Sequence, residues 1–318
     1  MGAELEDGLA SRYAGRMGAR AASFARAQGP VEALLAAGAA RPGDAVVAFP
    51  AAPGDVAACE RAGVSLRVVL EPSAEALLAA TGEHARTFWL VPAIGGCGLR
   101  VPALRDLACA ARAAGAVLAV DNSLPTCFGC LPLAQGAQLA VERVSSLWWQ
   151  GGVEDCLAVA VARSRSGRKR PEDPLAEELY RDLAPCWEGL CALDGHEERL
   201  VSQALESLPA RMQAAMDAAR ALAEFLRCHP AVGAVRYPGL PAHPDHAAAA
   251  STLLHGFGPV VEFEVRGRLR RGPCVLGLAP VSDDEAAWRL AVSGIDDPVD
   301  VADSLDQALR MFCKPPEP

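Results

Sequence analysis

Residues 101–121 read VPALRDLACAARAAGAVLAVD, and this stretch decides the fold. Val101 to Ala114 carries a helical pattern, with Pro102 near its first turn and Gly115 just past its end. Ala116 to Val120 is an unbroken apolar run of strand length, and Asp121 follows it directly. A helix that delivers the chain into a wholly apolar strand is the unit of a parallel sheet covered on both faces. In such sheets ligands bind beyond the carboxyl ends of the strands, which is where Asp121 stands.

The same alternation extends outward. Ala45 to Phe49 reads as a strand after the turn Pro42-Gly43-Asp44, Gly54 to Ala62 as a helix, and Leu66 to Leu70 as a strand. Ser73 to Ala80 reads as a helix, Thr87 to Val91 as a strand and Cys156 to Ala162 as another. Residues 171–195 are mixed and are expected to join two domains. Leu200 to Arg227 is a long helical pattern in which Pro209 is an interruption. Short strands over 234–237, 260–265 and 289–292 and a closing helix over 300–312 predict an α+β domain. The fold class is therefore α/β, with a large domain over 1–195 and a smaller α+β domain over 196–318.

The formal net charge of −9 disfavours nucleic-acid binding, which needs a basic face. The one basic cluster, Arg163 to Arg170, contains glycine and reads as a solvated loop. No apolar run is long enough to span a bilayer, and the first residues hold no apolar signal core, so a cytoplasmic protein without membrane contact is expected. Eleven cysteines without a disulfide rhythm read as reduced thiols. Cys127 and Cys130 form a lone CxxC that Pro125 and Gly129 mark as a loop, read as structural. His243 and His246 lie in HPDH, and no metal is expected there or elsewhere. Of thirty basic residues only Lys169 and Lys314 are lysines.

The run Val120-Asp121-Asn122-Ser123, with Pro132-Leu133 and Gly136-Ala137, resembles the VDNT…PL…GAD pattern of the Cys/Met-metabolism, or trans-sulfuration, family of pyridoxal-phosphate enzymes. Leu208 to Met212 (LPARM), His229 to Gly239 (HPAVGAVRYPG), His243 to His246, Gly256-Phe257-Gly258 and Arg289 to Asp296 resemble further family motifs. The resemblance covers roughly residues 10–312 and implies a fold-type I transferase architecture with a mostly parallel sheet. It also implies pyridoxal phosphate as cofactor and a dimer or tetramer as assembly. Relative to that pattern the amino-terminal arm is missing and the carboxyl-terminal domain is shortened.

The family's Schiff-base lysine lies in S-x-T-K-Y-x-G-G-H-x-D, and the resemblance sets this against Ser145 to Asp155, with Trp148 at the lysine position. An indole forms no imine, so no catalytic residue is expected and the coenzyme is not expected to be covalently held. Trp148 and Trp149 read either as core filling or as an aromatic ligand shelf. The phosphate turn is matched by Ala27-Gln28-Gly29-Pro30, without serine and with a proline that has no N–H. Three positions carry over as vestigial cofactor contacts: Asp121 for the pyridine nitrogen, Ser145 for phosphate, and Arg12 for phosphate across a subunit boundary. Arg289 carries over as the fork for a substrate α-carboxylate. Each has a plainer reading: Asp121 capping its turn, Ser145 satisfying backbone, Arg289 pairing with Asp283 or Asp284.

The expectation is a catalytically silent family member acting as scaffold or regulatory partner. It would be a homodimer or homotetramer, or a heteromer with an active paralogue, with a small amino acid as a conceivable ligand. The alternatives are a carbon–sulfur lyase or γ-replacement transferase acting on cysteine- or homocysteine-type amino acids, and a module that binds a small anion or amino acid in the emptied pocket.

Overall fold

A computed structural model describes residues 8–51, 53–147, 153, 155–163, 173–187, 193–269, 277–281 and 286–314. The chain divides into two compact units. The first comprises Met1–Ala93 and Pro102–Glu206, and the second Ile94–Val101 and Ser207–Pro318. The inclusion of 94–101 in the second unit is a feature the sequence pattern did not reveal.

In the first unit the strands are β1 Ala21–Arg26, β2 Ala45–Ala48, β3 Ser65–Val68, β4 Thr87–Pro92, β5 Val117–Asp121, β6 Leu139–Arg143 and β7 Cys156–Val161. The helices are α1 Leu9–Met17, α2 Pro30–Ala36, α3 Pro53–Ala62, α4 Ala74–Ala80, α5 Leu104–Ala113, α6 Thr126–Gly129, α7 Pro132–Gln135, α8 Val144–Leu147 and α9 Pro174–Trp187. The seven strands form one sheet in the order β1-β7-β6-β5-β4-β2-β3. The pairs β2·β3, β2·β4, β4·β5 and β5·β6 are parallel, and β7 runs antiparallel to both β6 and β1. Six strands therefore point one way and only β7 is reversed.

Strands β2, β4 and β7 are buried at every residue, as expected of apolar runs covered on both faces. The edge strand β3 instead exposes Arg67 and Val68. Helix α5 lays Leu104, Leu107, Ala108 and Ala111 against the sheet, a helical spacing of three and four. Each large apolar side chain so buried contributes about 1.5–3 kcal/mol.

Several expectations are corrected. The helix read from Val101 starts at Leu104, since residues 101–103 take no regular structure and Ala103, at φ −74° and ψ 85°, stands outside the helical region as its N-cap. The mixed stretch 171–195 contains the fourteen-residue helix α9, whose Pro185 hides it from propensity reasoning. Cys127 sits on a short helix, not in a loop. Pro209 does not break its helix: α10 runs over Gly195–Cys228 through it. The missing N–H costs one backbone bond, and burial of Leu205, Leu208, Met212 and Met216 along the helix outweighs it.

The second unit contains β8 Val232–Arg236, α11 His246–Thr252, β9 Val260–Val265, β10 Arg268–Leu269, β11 Leu278–Pro280, β12 Ala287–Ala291, α12 Pro298–Phe312 and β13 Cys313–Lys314. Its antiparallel sheet has the order β11-β12-β9-β8, and β10 pairs separately with β13. Val261, Phe263, Trp288, Leu290, Leu305 and Leu309 belong to its core. Among the described residues no helix is long and apolar enough to cross a membrane.

Candidate ligand site

Strand polarity brings three of the expected site elements to one edge of the first unit's sheet. Asp121 ends β5, Ser145 lies in α8 just after β6, and Gln28-Gly29 follow β1. These are the carboxyl ends of strands that point the same way, the edge where α/β sheets place ligands.

Asp121 is partly buried and already engaged. Its Oδ1 accepts the Ser123 backbone N–H at 3.0 Å and the Ser123 hydroxyl at 2.5 Å. The Ser123 hydroxyl in turn accepts the Arg143 backbone N–H at 2.9 Å. Burial pushes the Asp121 carboxyl above the usual range, while the bonds from Ser123 and the charge of Arg143 pull it back. The turn-capping reading is thus realised, and among the described residues Oδ2 makes no hydrogen bond. Nearby, Thr126 holds a φ of 57°, a conformation β-branched residues rarely adopt.

The turn matched to the phosphate cradle carries its own carboxylates. The Gln28 N–H donates to Glu32 Oε2 at 2.8 Å, and the Gln28 carbonyl accepts Arg143 Nη2 at 2.6 Å. A Cβ built on Gly29 would lie 3.2 Å from Asp55 Oδ1. Two carboxylates and the Arg143 guanidinium therefore meet at the turn, and the Gln28 N–H that an anion would use is already taken by Glu32. Arg12, on the exposed face of α1, pairs with Glu206 at 2.9 Å. Ser145 is half-buried in α8.

Beneath Asp121 lies a polar cluster that sequence reasoning missed. Asn122 and Glu142 are wholly buried, and Asn122 Nδ2 donates to Glu142 Oε2 at 3.2 Å and to the Cys130 carbonyl at 3.1 Å. Among the described residues the Tyr13 hydroxyl, Asn122 Oδ1 and Glu142 Oε1 are buried with no partner at hydrogen-bonding distance, although Tyr13 and Glu142 lie close enough to shift each other's proton affinity. Burial pushes Glu142 up to about 8, with Asp121 adding to the rise against the bond from Asn122. Burial likewise raises the Cys127 thiol, and takes Cys130 to about 12 with help from Glu142. Burial thus favours the protonated form of both thiols near neutrality, which makes them poor nucleophiles. Among the described residues no group of three His, Cys, Asp or Glu could hold a metal ion.

In the second unit Arg289 is held internally. Its Nε donates to Glu262 Oε1 at 2.9 Å, and its Nη2 reaches the same oxygen and the Gly96 carbonyl, the latter at 2.9 Å. Glu262 is 2 % exposed, and its Oε2 accepts the Gly98 N–H at 2.7 Å. The partner is thus Glu262; Asp283 and Asp284 lie outside the described residues. His243 donates from Nε2 to the Gly98 carbonyl at 2.8 Å and accepts the Asp245 N–H on Nδ1 at 3.1 Å. His246 bonds the Pro238 carbonyl at 2.8 Å and stacks on Phe257. HPDH is therefore a loop-fixing device.

Trp148, Trp149, Lys169 and residues 164–170 of the basic cluster lie outside the described residues. Lys314 belongs to β13, where it pairs with Arg268. No lysine occurs among the described residues of the first unit.

Comparison with known proteins agrees with this architecture. Residues 55–278 match the family described as Cys/Met metabolism PLP-dependent enzyme. O-acetyl-L-homoserine sulfhydrylase 1 of Thermus thermophilus is 30 % identical over 293 residues, covering 82 % of this chain and 68 % of that protein. Cystathionine gamma-synthase of Mycobacterium tuberculosis is 34 % identical over 152 residues, covering 48 % of this chain and 36 % of its own length. The solved structure of apo CalE6, a methionine gamma lyase from Micromonospora echinospora, superimposes with a TM-score of 0.74 at 26 % identity, covering 95 % of this chain and 84 % of that one. The seven-stranded, mostly parallel sheet with a smaller antiparallel sheet is the fold-type I arrangement. The chain belongs to the Cys/Met-metabolism, or trans-sulfuration, family of pyridoxal-phosphate-dependent enzymes.

Proposed function

We propose that this chain is a trans-sulfuration-family protein that has left the family's covalent coenzyme chemistry and serves as a scaffold or regulatory partner. The observation that carries the reading is the lysine inventory: Lys169 and Lys314 are the only two, and the segment matched to the Schiff-base lysine has Trp148 there. Lys314 belongs to a strand of the second unit. An imine requires a primary side-chain amine, and neither indole nor guanidinium can replace it.

The remaining contacts support the same reading. At the phosphate turn, Pro30 has no N–H, Glu32 takes the Gln28 N–H, and Asp55 faces Gly29. Arg289, the position matched to the substrate carboxylate, is engaged by Glu262 and the Gly96 carbonyl. These residues fit a folded, self-satisfied protein better than a coenzyme cradle. Asp121 Oδ2 and Ser145 are the groups that remain for a noncovalently held ligand. The proposed setting is the cytoplasm, as a homodimer or homotetramer, or as a heteromer with an active paralogue to which Arg12 would contribute.

The test is direct. The purified chain is mixed with pyridoxal phosphate, its absorbance recorded, and the sample reduced with borohydride before peptide mass mapping. No aldimine band and no pyridoxyl-lysine are expected, nor release of ammonia, keto acid or thiol from cysteine, homocysteine, cystathionine or O-acetylhomoserine. A stoichiometric pyridoxyl adduct on Lys169 or Lys314, or turnover of any of these amino acids, overturns the proposal in favour of a lyase or γ-replacement transferase.

A further inference from the structure

The first unit has a cavity at the opposite edge of its sheet from Asp121. Its lining includes Gly136 and Ala137, just before β6 begins, and Ala162, just after β7 ends. Leu139 of β6 pairs with Val161 of β7, so these residues mark the amino ends of the parallel strands. Asp121 and Ser145 lie at the carboxyl ends. The cavity encloses about 530 Å³, enough for a small organic molecule.

Its walls combine apolar surface with three guanidinium groups. Met17, Leu131 and Leu133 supply the apolar part, and Arg105, Arg112 and Arg163 the charge. Arg105 and Arg112 are seven residues apart on α5, two helical turns, and so project from one face at a separation of roughly 10 Å along the axis. The one carboxylate among the described lining residues, Asp173, has structural work. Its Oδ1 accepts the Ala176 N–H at 3.3 Å at the start of α9, and its Oδ2 accepts Gln138 Nε2 at 2.7 Å and meets Arg112 at 3.5 Å. Arg163 is fixed by its Nε, which donates to the Ala19 carbonyl at 2.8 Å. Among the described residues Arg105 makes no hydrogen bond or ion pair.

Among the described lining residues three cations face one committed anion, an excess of positive charge on a chain whose net charge is −9. Apolar walls beside such a cluster strengthen its field. Guanidinium forks recognise planar oxyanions by paired, charge-assisted hydrogen bonds. We infer that this cavity is a binding site for a small organic dianion, with two oxyanion groups on a short carbon backbone, held chiefly by Arg105 and Arg112. The site is separate from the family's coenzyme edge and does not depend on the function proposed above.

Succinate is the first probe, inorganic phosphate the second, and acetate and chloride at matched ionic strength are the controls. Binding is read by thermal shift and by calorimetry on the full chain, for wild type, Arg105→Ala, Arg112→Ala and Arg61→Ala. Arg61 is an exposed arginine of α3 outside the cavity, and circular dichroism verifies that each variant folds. Succinate should raise the melting temperature of wild type and Arg61→Ala, while acetate and chloride leave it unmoved. Each cavity variant should bind succinate about tenfold more weakly or worse. Equal responses in all four proteins, or a chloride effect equal to that of succinate, would overturn the site. A response to phosphate without one to succinate would overturn the ligand class.

Discussion

Glu262 and Arg289 satisfy each other inside the second unit: a carboxylate 2 % exposed accepts the guanidinium through Oε1 and the Gly98 N–H through Oε2. Removing the cation leaves a buried carboxylate with one neutral donor. Arg289→Ala should therefore destabilise the protein by about 2–4 kcal/mol, nearer the lower figure because the arginine is itself about one-third exposed. Arg289→Lys should recover only part, since an ammonium cannot reproduce the fork. Urea midpoints measure both. A change below about 0.5 kcal/mol in Arg289→Ala would show that the pair is not structural.

Glu142 should make stability depend on pH in an unusual direction. Burial raises its carboxyl from 4.5 to about 8 in the folded protein. Between those values the folded chain keeps a proton that the unfolded chain has released. Stability is then complete below about pH 4.5 and declines as pH rises towards about 8. The slope is at most about 1.4 kcal/mol per pH unit. Glu142→Gln should flatten the profile and gain most at the alkaline end. Denaturation series at pH 5, 6.5 and 8 on both proteins decide it, and parallel profiles would contradict the assignment.

Gly294 should accept no side chain. A Cβ there would stand 1.9 Å from the Arg211 carbonyl oxygen, and backbone cannot yield as a flexible side chain would. Gly294→Ala should cost about 3 kcal/mol or more, seen as a large fall in melting temperature or as loss of folded protein on expression. An alanine variant of wild-type stability would mean that the two segments separate freely.

Thiol chemistry should sort the cysteines by burial. Cys97, Cys109, Cys186 and Cys228 are exposed, whereas Cys127 and Cys130 are buried with thiols raised by burial. A timed iodoacetamide reaction, followed by peptide mass mapping, should label these four before Cys127 and Cys130. Early labelling of Cys127 or Cys130 in the folded protein would refute their placement.

The strands read most directly from sequence are the unbroken apolar runs near 45–48, 87–92, 117–121 and 156–161, while β3, β8, β9 and β12 were also legible despite charged residues such as Arg67, Arg236, Glu262 and Arg289. Strands β1 and β6 escaped because each mixes polar residues into a short run, Ser23 and Arg26 in one and Glu142 and Arg143 in the other. A terminal Glu-Arg reads as solvent-facing, yet Glu142 is wholly buried, and only tertiary structure reveals that. Asp121 was legible because strand direction alone assigns it an edge. Its bond to Ser123 follows from a two-residue spacing and was foreseen as turn capping. The association of Tyr13, Asn122 and Glu142 was not, since it joins three separate elements and leaves no local pattern. Arg289 meets Glu262 on the neighbouring strand, a cross-strand relationship that depends on register and not on nearness in sequence.

An aspartate that shapes its own bend has a reason to persist that owes nothing to chemistry. With one oxygen closing the loop through Ser123, residue 121 would be kept by folding alone, even in a lineage where no coenzyme ever met it. Motif retention at this position is therefore a poor witness to activity, and surveys that sort relatives into working and idle enzymes should weigh the amine instead of the acid.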